Sequence, residues 1–313
     1  MSRRVLISGS VAYDTIMVFE GHFKDHILPD RVHMINVAFL TPQLKREFGG
    51  CAANIAYNLK ALGGEPVILA TVGQDAGEYL ARIERLGIET AHIARLPDHY
   101  TAQAFITTDL ADNQIIAFHP GAMSHAHRVC ALDALPAAFG IVAPNGKDAM
   151  LRHAREFREA GVPFMFDPGQ GLPMFDGDEL RDLIGGATAV AVNDYESRML
   201  CEKTGMTEAE IAARVEALIV TRGGEGSQLW TDGRCENVVP AGISRAVDPT
   251  GCGDAYRGGL LYGIAQGWSW LDSARLGSVM GALKIEQQGA QNHHVDREAV
   301  ATRFAQAYGN RPW

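Results

Sequence analysis

Two glycine-led stretches carry residues that could do chemistry. The first, Asp248-Pro249-Thr250-Gly251-Cys252-Gly253-Asp254, runs straight into an amphipathic helical pattern over 255–263. Glycines at a helix start let successive backbone N–H groups converge in a concave nest, and the helix dipole adds positive potential. Such a nest suits a phosphate, or the charge developing on a phosphoryl group in transfer. Asp254 at its mouth is placed to accept a proton from an attacking hydroxyl. The dipole is expected to keep that carboxylate ionised, so that it orients the nucleophile as much as it acts as a strong base. A plainer reading stands beside this one: an aspartate N-cap among flexible glycines explains any single G-x-G-D. The second stretch is Gly49-Gly50-Cys51-Ala52-Ala53-Asn54. Its paired glycines permit close backbone approach to a ligand, and the Asn54 amide can both donate to and accept from a sugar hydroxyl. Asp14 falls just past the first predicted strand, where open α/β sheets place ligand groups. One carboxylate there can accept from two vicinal hydroxyls.

Positioning these groups takes a repeating scaffold, and the rest of the chain supplies one. Short apolar, β-branched runs at 5–10, 67–72, 140–143, 162–167, 188–193 and 218–221 read as strands. Helical patterns at 52–62, 77–86, 150–160, 178–184, 195–203 and 208–215 separate most of them. The class is therefore α/β, with a mostly parallel sheet covered on both faces. Two segments break the rhythm. Residues 15–39 hold extended stretches around a polar loop at 21–30, and 101–108 with 115–119 flank 109–114 as a β-hairpin. Neither offers a crossover helix. They form either a small β lid over a ligand cleft, from excursions at about 15–40 and 101–119, or an edge extension of the main sheet.

The chain has 313 residues, 47% hydrophobic and 21% charged, which allows a sizeable core and excludes wholesale disorder. Net charge is −9, with no basic stripe to neutralise phosphates, so a nucleic-acid partner is not expected. Five scattered cysteines, never spaced C-x-x-C, point to a reducing cytoplasm rather than a disulfide framework or zinc cluster. The two arginines before the first apolar run imitate a signal peptide, but that run is short and closed by Asp14. No apolar run is long enough to span a bilayer. There is no G-x-x-x-x-G-K-[ST], and 223–226 gives no G-x-G-x-x-G after its strand. His125 and His127, and the pair His293-His294, lack metal-partner spacing and read as solvated. Tyr13, Met34, Phe39 and Phe118 are candidates for an apolar wall beside a base, with lid packing as the other explanation. His119, at the end of the hairpin, reads equally as a base contact or a turn residue.

Together, the 49–54 cluster and the 248–254 cluster, about 200 residues apart and in this order, resemble the two signatures of the PfkB, or ribokinase-like, carbohydrate and nucleoside kinases. The resemblance extends over essentially the whole chain, which implies a single ribokinase-like domain, a three-layer α/β/α sandwich with a β lid. The stretches 19–58 and 106–123 look most like bacterial adenosine kinase-like nucleoside kinases. By this resemblance Asp254 is the catalytic base, and Gly251, Cys252 and Gly253 form the anion hole. Asp14, Gly49, Gly50 and Asn54 hold the acceptor sugar, with Gln103 and His119 as further substrate contacts. Asn193 and Glu196 match an N-x-x-E element that organises Mg²⁺, partly through water. Thr221, Arg222, Gly223 and Gly226 match the loop beside the ATP ribose and phosphates. Asp248 and Thr250 lie where many relatives bind K⁺, with 287–291 as a second wall.

The implied reaction is transfer of the ATP γ-phosphoryl group to the 5′-hydroxyl of a purine ribonucleoside such as adenosine, inosine or guanosine. Two other functions stay open: a sugar kinase of the ribokinase or fructokinase type, and a catalytically silent nucleoside-binding relative. Two departures from the second signature are Pro249 for the usual threonine and Tyr256 for a common phenylalanine. Pro249 removes one backbone donor near the cation position. The partners expected are small molecules, nucleoside and ATP, with the chain a monomer or homodimer, in the cytoplasm and off the membrane.

Overall fold

Strands that are apolar on both faces are satisfied only inside a sheet covered twice. In the computed structural model, which describes residues 2–27, 36–111 and 113–313, that is how the chain folds. Nine strands form one sheet in the order β13-β12-β11-β10-β9-β8-β1-β4-β5. Its parallel members are β1 (Arg4–Ser8), β4 (Glu65–Val72), β5 (Ile93–Arg95), β8 (Phe139–Val142), β9 (Phe164–Phe166), β10 (Ala189–Asn193) and β11 (Ala217–Thr221). The hairpin of β12 (Ser227–Thr231) and β13 (Arg234–Val238) continues it antiparallel at one edge.

Alternation along each strand divides the core in two. Val5 and Ile7 of β1 enter a cluster with α1 (Cys51–Ala61), α2 (Gly77–Arg85), α7 (Cys252–Ala265), α8 (Trp270–Ile285) and α9 (Arg297–Tyr308). Leu6 enters the other, with α3 (Lys147–Glu159), α4 (Gly177–Gly186), α5 (Asp194–Thr204) and α6 (Glu208–Ala212). Helices α7 and α8 lie very close. A Cβ on Gly259 would stand 2.8 Å from the Leu276 carbonyl oxygen, and one on Gly277 would stand 2.8 Å from that of Tyr256.

A second sheet, in the order β3-β2-β6-β7, is built from β2 (Ala12–Val18), β3 (Gln43–Gly49), β6 (Ala102–Thr108) and β7 (Gln114–His119). It is separate from the nine-stranded sheet, so the edge-extension reading is corrected. The excursions are also longer than expected, because β2 begins at Ala12 and β3 returns at Gly49. The sequence QLKREFG of β3 hides a strand, since its polar residues fall on both faces. Of the polar loop expected at 21–30, residues 28–30 lie outside the described residues, as does Met34.

Other boundaries differ for identifiable reasons. The first strand stops at Ser8, because Ser10 turns to serve a helix instead. Its carbonyl accepts from the Ala52 amide (3.0 Å) and its hydroxyl from the Cys51 amide (3.0 Å). Helix α6 ends at Ala212, short of the expected 215. No helix among the described residues is long and apolar enough to cross a membrane.

Candidate active site

Helix α7 starts at Cys252 from a left-handed Gly251 (φ 77°), a conformation glycine adopts without cost. The Cys252 amide closes a turn onto the Pro249 carbonyl at 3.1 Å. Among the described residues the amides of Gly251, Gly253 and Asp254 have no protein acceptor. The expected donor trio of Gly251, Cys252 and Gly253 is therefore corrected: Cys252 is spent on the turn, and the amide of Asp254 is left over instead. Burial, aided by nearby carboxylates, pushes the Cys252 thiol up, against the depression a helix start alone would bring.

Asp254 sits at the head of this loop. Its Oδ2 accepts from Asn54 Nδ2 at 2.8 Å, joining two clusters 200 residues apart in the chain. Asn54 is itself held from behind. Gln291 Nε2 donates to Asn54 Oδ1 (2.9 Å) and to the Tyr79 hydroxyl (2.7 Å), and that hydroxyl donates to the Gly49 carbonyl (2.6 Å). Burial raises the Asp254 carboxyl to about 7, the Asn54 hydrogen bond opposing the rise and the Asp167 charge adding to it. The expectation that the dipole keeps Asp254 ionised is corrected, because desolvation outweighs it and brings the group to half-protonation near neutral pH.

Asp254 opens into a cavity of ≈ 360 Å³ lined also by Asp167, Asn193, Glu196, Thr221, Gly253 and Arg257. Asn193 and Glu196 form a capping box at the start of α5. The Glu196 amide donates to Asn193 Oδ1, and Glu196 Oε2 accepts from the Asn193 amide, each at 2.8 Å. This leaves Glu196 Oε1 without a protein donor, and burial with the Asp167 charge raises that carboxyl. Asp167 and Arg257 form a buried ion pair (Nε to Oδ2, 3.0 Å), and Arg257 Nη1 is buried without a partner. A buried guanidinium edge left unmatched beside open amides suits an anion. Neither Asp167 nor Arg257 was singled out from sequence; the charged residue three positions after Asp254, inside an apolar helix, was the available signal.

A second cavity of ≈ 440 Å³ adjoins the first, sharing Thr221 and Gly253, and is lined also by Gly223, Gly226, Pro249, Cys252 and Tyr256. Thr221, Gly223 and Gly226, expected beside the nucleotide, therefore line one cavity together. Arg222 does not line it; its guanidinium turns to Gln228 Oε1 at 2.6 Å.

On the acceptor side, Asp14 lies across β3 from Glu47. Burial and the Glu47 charge raise Asp14 to about 6. Gly49 and Gly50 are small for reasons within the chain: a Cβ on Gly49 would meet Asp14 Oδ2 at 2.5 Å, and one on Gly50 (φ 90°) would meet Ser10 O and Ala12 N at 2.6 Å. The close approach expected toward a ligand is, at Gly50, an approach to the chain's own backbone. Gln103 and His119 are register partners on the face of Tyr13, opposite Asp14, and Gln103 donates to Thr15 Oγ1. Ile16, Ala104, Ile106, Ile116 and Phe118 share the Asp14 face. Tyr13 is core, packed on Phe48 and Tyr79, and Phe39 packs on Phe19 and Phe23.

With this geometry in place, comparison with known proteins becomes specific. A model of the pfkB family carbohydrate kinases matches residues 5–297. The chain belongs to that family. A nucleoside kinase of Methanothermobacter thermautotrophicus is 28% identical over 99% of this chain and 98% of its own. The structure of Burkholderia thailandensis nucleoside kinase in complex with inosine superposes with a TM-score of 0.89 and 51% identity, covering 98% of this chain and 99% of that one. The same enzyme in complex with ADP-inosine gives 0.87 and 53%, covering 98% and 97%. The chain is thus a ribokinase-like, ATP-dependent phosphotransferase with an alcohol as acceptor.

Family membership raises two cations. Among the described residues no group of three or more His, Cys, Asp or Glu is placed to hold a metal by itself. Mg²⁺ fits nonetheless, because this ion keeps waters and takes one or two carboxylates plus phosphate oxygens. Glu196 and Asp167, which line the smaller cavity, would be those carboxylates. Potassium at Asp248 and Thr250 does not fit. Asp248 Oδ1 and Oδ2 accept from the Thr250 (2.8 Å) and Gly289 (2.7 Å) amides, and its carbonyl accepts from Lys284 Nζ (2.8 Å).

Of the histidines read as solvated, His294 is exposed and His125 and His127 are half-buried, but His293 needs correction. His293 is fully buried, its Nε2 2.7 Å from Asn58 Oδ1, and burial lowers it to about 4. It braces α1 from behind. The ring of His125 packs on His99 and His127.

Because Asp254 must be deprotonated to act as a base, kcat/KM of this kinase should rise with pH and level off above about 7. Asn54→Ala removes a donor that lowers that value, so the midpoint of the pH profile should move upward. A profile flat from roughly pH 5 to 9 would contradict the assignment. A Cβ on Gly253 meets nothing within 4 Å, so packing does not explain its glycine. Gly253→Ala should keep or slightly raise the thermal midpoint, alanine being favoured in helices by ~1 kcal/mol. Its kcat should fall by roughly ten- to a hundredfold as the methyl crowds the open amides. Calorimetry paired with initial rates checks both halves.

Proposed function

We propose that the protein phosphorylates the 5′-hydroxyl of a purine ribonucleoside, with ATP as donor. The observation that carries this reading is Asp254: a carboxylate raised to about 7, fixed by Asn54, beside unpartnered amides where two cavities meet. ATP occupies the larger cavity, with its γ-phosphoryl group reaching past Gly253 toward Arg257. The acceptor lies over Asp14, whose carboxylate accepts from the ribose hydroxyls, while Asn54 orients the sugar. Asp254 Oδ takes the 5′-hydroxyl proton as the oxygen attacks in line.

Phosphoryl transfer passes through a loose transition state, so positioning and charge neutralisation matter more than covalent chemistry. The amides of Gly251, Gly253 and Asp254 and the free edge of Arg257 meet the equatorial oxygens. Glu196 and Asp167 would hold Mg²⁺, which when bound would supply charge neutralisation on the phosphates. The small sheet acts as a lid, its Asp14 face presenting Ile16, Ile106 and Phe118 to the base and excluding water.

An apolar face beside three carboxylates (Asp14, Glu47, Asp254) favours a neutral acceptor carrying a base over a sugar phosphate. The inosine complex of the Burkholderia enzyme supports the same substrate class. Assays of ADP release with Mg-ATP and adenosine, inosine, guanosine, ribose, fructose and fructose 6-phosphate test it. Nucleosides should turn over, and Asp254→Asn should reduce kcat by about 10²–10⁴-fold with KM little changed. Turnover on free sugars alone would make the protein a sugar kinase, and nucleoside binding without turnover a silent relative.

A further inference from the structure

Lys284 ends α8 with none of its surface exposed, an unusual place for an ammonium group. Its Nζ donates to two main-chain carbonyls, Asp248 O (2.8 Å) and Gln287 O (3.0 Å). Around that contact the turn at 248–251 is clamped to the segment after α8. The amides of Val247 and Asp248 donate to Ile285 O (2.8 and 3.1 Å), the Gly289 amide donates to Asp248 Oδ2, and Gly251 presses on Ala290. The amides left open beyond this turn are those of Gly251, Gly253 and Asp254. Burial favours the neutral form of Asp248, yet hydrogen bonds from Gly289 and Thr250, together with the Lys284 charge, hold it below the usual carboxylate range. The carboxylate, its carbonyl and the ammonium form one closed unit.

We propose that Lys284 is a resident monovalent cation for this kinase. Its ammonium bridges the carbonyls of the anion-hole turn and the 287–291 wall, fixes the direction of the Gly251–Asp254 amides, and supplies positive charge behind the phosphoryl site. The protein therefore needs no potassium. Lys284 is a positioning residue, acting through the turn and touching neither ATP nor acceptor. The proposal rests on kinase activity but on no particular acceptor.

The test compares potassium-free buffer, with tetramethylammonium as counter-ion, against added K⁺, NH₄⁺, Na⁺ and Li⁺. Wild type should show the same kcat and thermal midpoint in all of them. Lys284→Ala should lose about ten- to a hundredfold in kcat. Added K⁺ or NH₄⁺ should restore much of that rate and raise the midpoint, whereas Li⁺ and tetramethylammonium should not. Lys284→Met, which keeps the apolar volume, should lose rate without being rescued, since no space is opened for an ion. Severalfold potassium activation of wild type would overturn the proposal, and that arm decides even if Lys284→Ala fails to fold. So would undiminished activity in Lys284→Ala, or a loss that no cation repairs, which would make the lysine a structural plug. The thermal midpoints need no acceptor, so absence of turnover on every alcohol would sink the functional reading while leaving this test intact.

Discussion

The site depends on one buried chain of hydrogen bonds, from the Gly49 carbonyl through Tyr79, Gln291 and Asn54 to Asp254. Each link fixes the direction of the next. Tyr79 gives its only proton to Gly49 and so can only accept from Gln291. Gln291 spends its amide protons on Tyr79 and on Asn54 Oδ1. That contact turns Asn54 so that Nδ2, the donor, faces Asp254. A carboxylate in a recess this dry would otherwise be free to protonate or rotate. With the donor imposed from behind, it stays oriented while desolvation keeps it basic. A catalytic base needs both conditions, and burial alone would provide only one.

The same reasoning explains how acidic groups crowd into one region. Burial first, and the neighbouring carboxylates second, raise Asp14 (with Glu47 beside it), Glu196 (with Asp167) and Asp254 (with Asp167 and Asp14). Arg257 and Lys284 are the buried counter-charges, on either side of the α7 start. Arg257 is half matched, by Asp167, with its Nη1 buried and without a partner. Lys284 faces carbonyl oxygens and the one carboxylate already saturated by amides.

Much of this was legible in the sequence, and what was not follows a pattern. Residues whose role depends on local backbone could be read: the Gly251 turn, the α7 start, and the helix opened by Gly50. Parallel strands could be read too, because burial on both faces makes them continuously apolar. Residues that act at long range could not. Gln291, Tyr79 and His293 are ordinary in type, and their meaning arises only when α1, α2 and the segment after α8 converge. Strand β3 was hidden because a lid strand with solvent on both sides has no apolar period. Asn193 and Glu196 were read only as a Mg²⁺ element; the structure adds a capping box that uses one Glu196 carboxylate oxygen and leaves the other without a protein donor. Gln103 and His119 were misplaced by a register that sequence cannot supply, since a shift of one residue exchanges the faces of a strand.

The joint between the small sheet and the main one coincides with the hydrogen-bond chain, and this links any lid movement to the base. Strand β3 ends at Gly49, whose carbonyl receives Tyr79, and Gly50 then folds back on Ser10 and Ala12 at the root of β2. Ser10 in turn binds the first two amides of α1, the helix that carries Asn54. At the other root, Thr101 precedes β6 and is tied through both its amide and hydroxyl to Asp75, which also pairs with Arg46 of β3. The sheet is therefore pinned at its roots, beside the Asn54–Asp254 pair. Because Gly49 belongs both to β3 and to this chain of hydrogen bonds, any displacement of β3 bears directly on Tyr79, Gln291, Asn54 and Asp254.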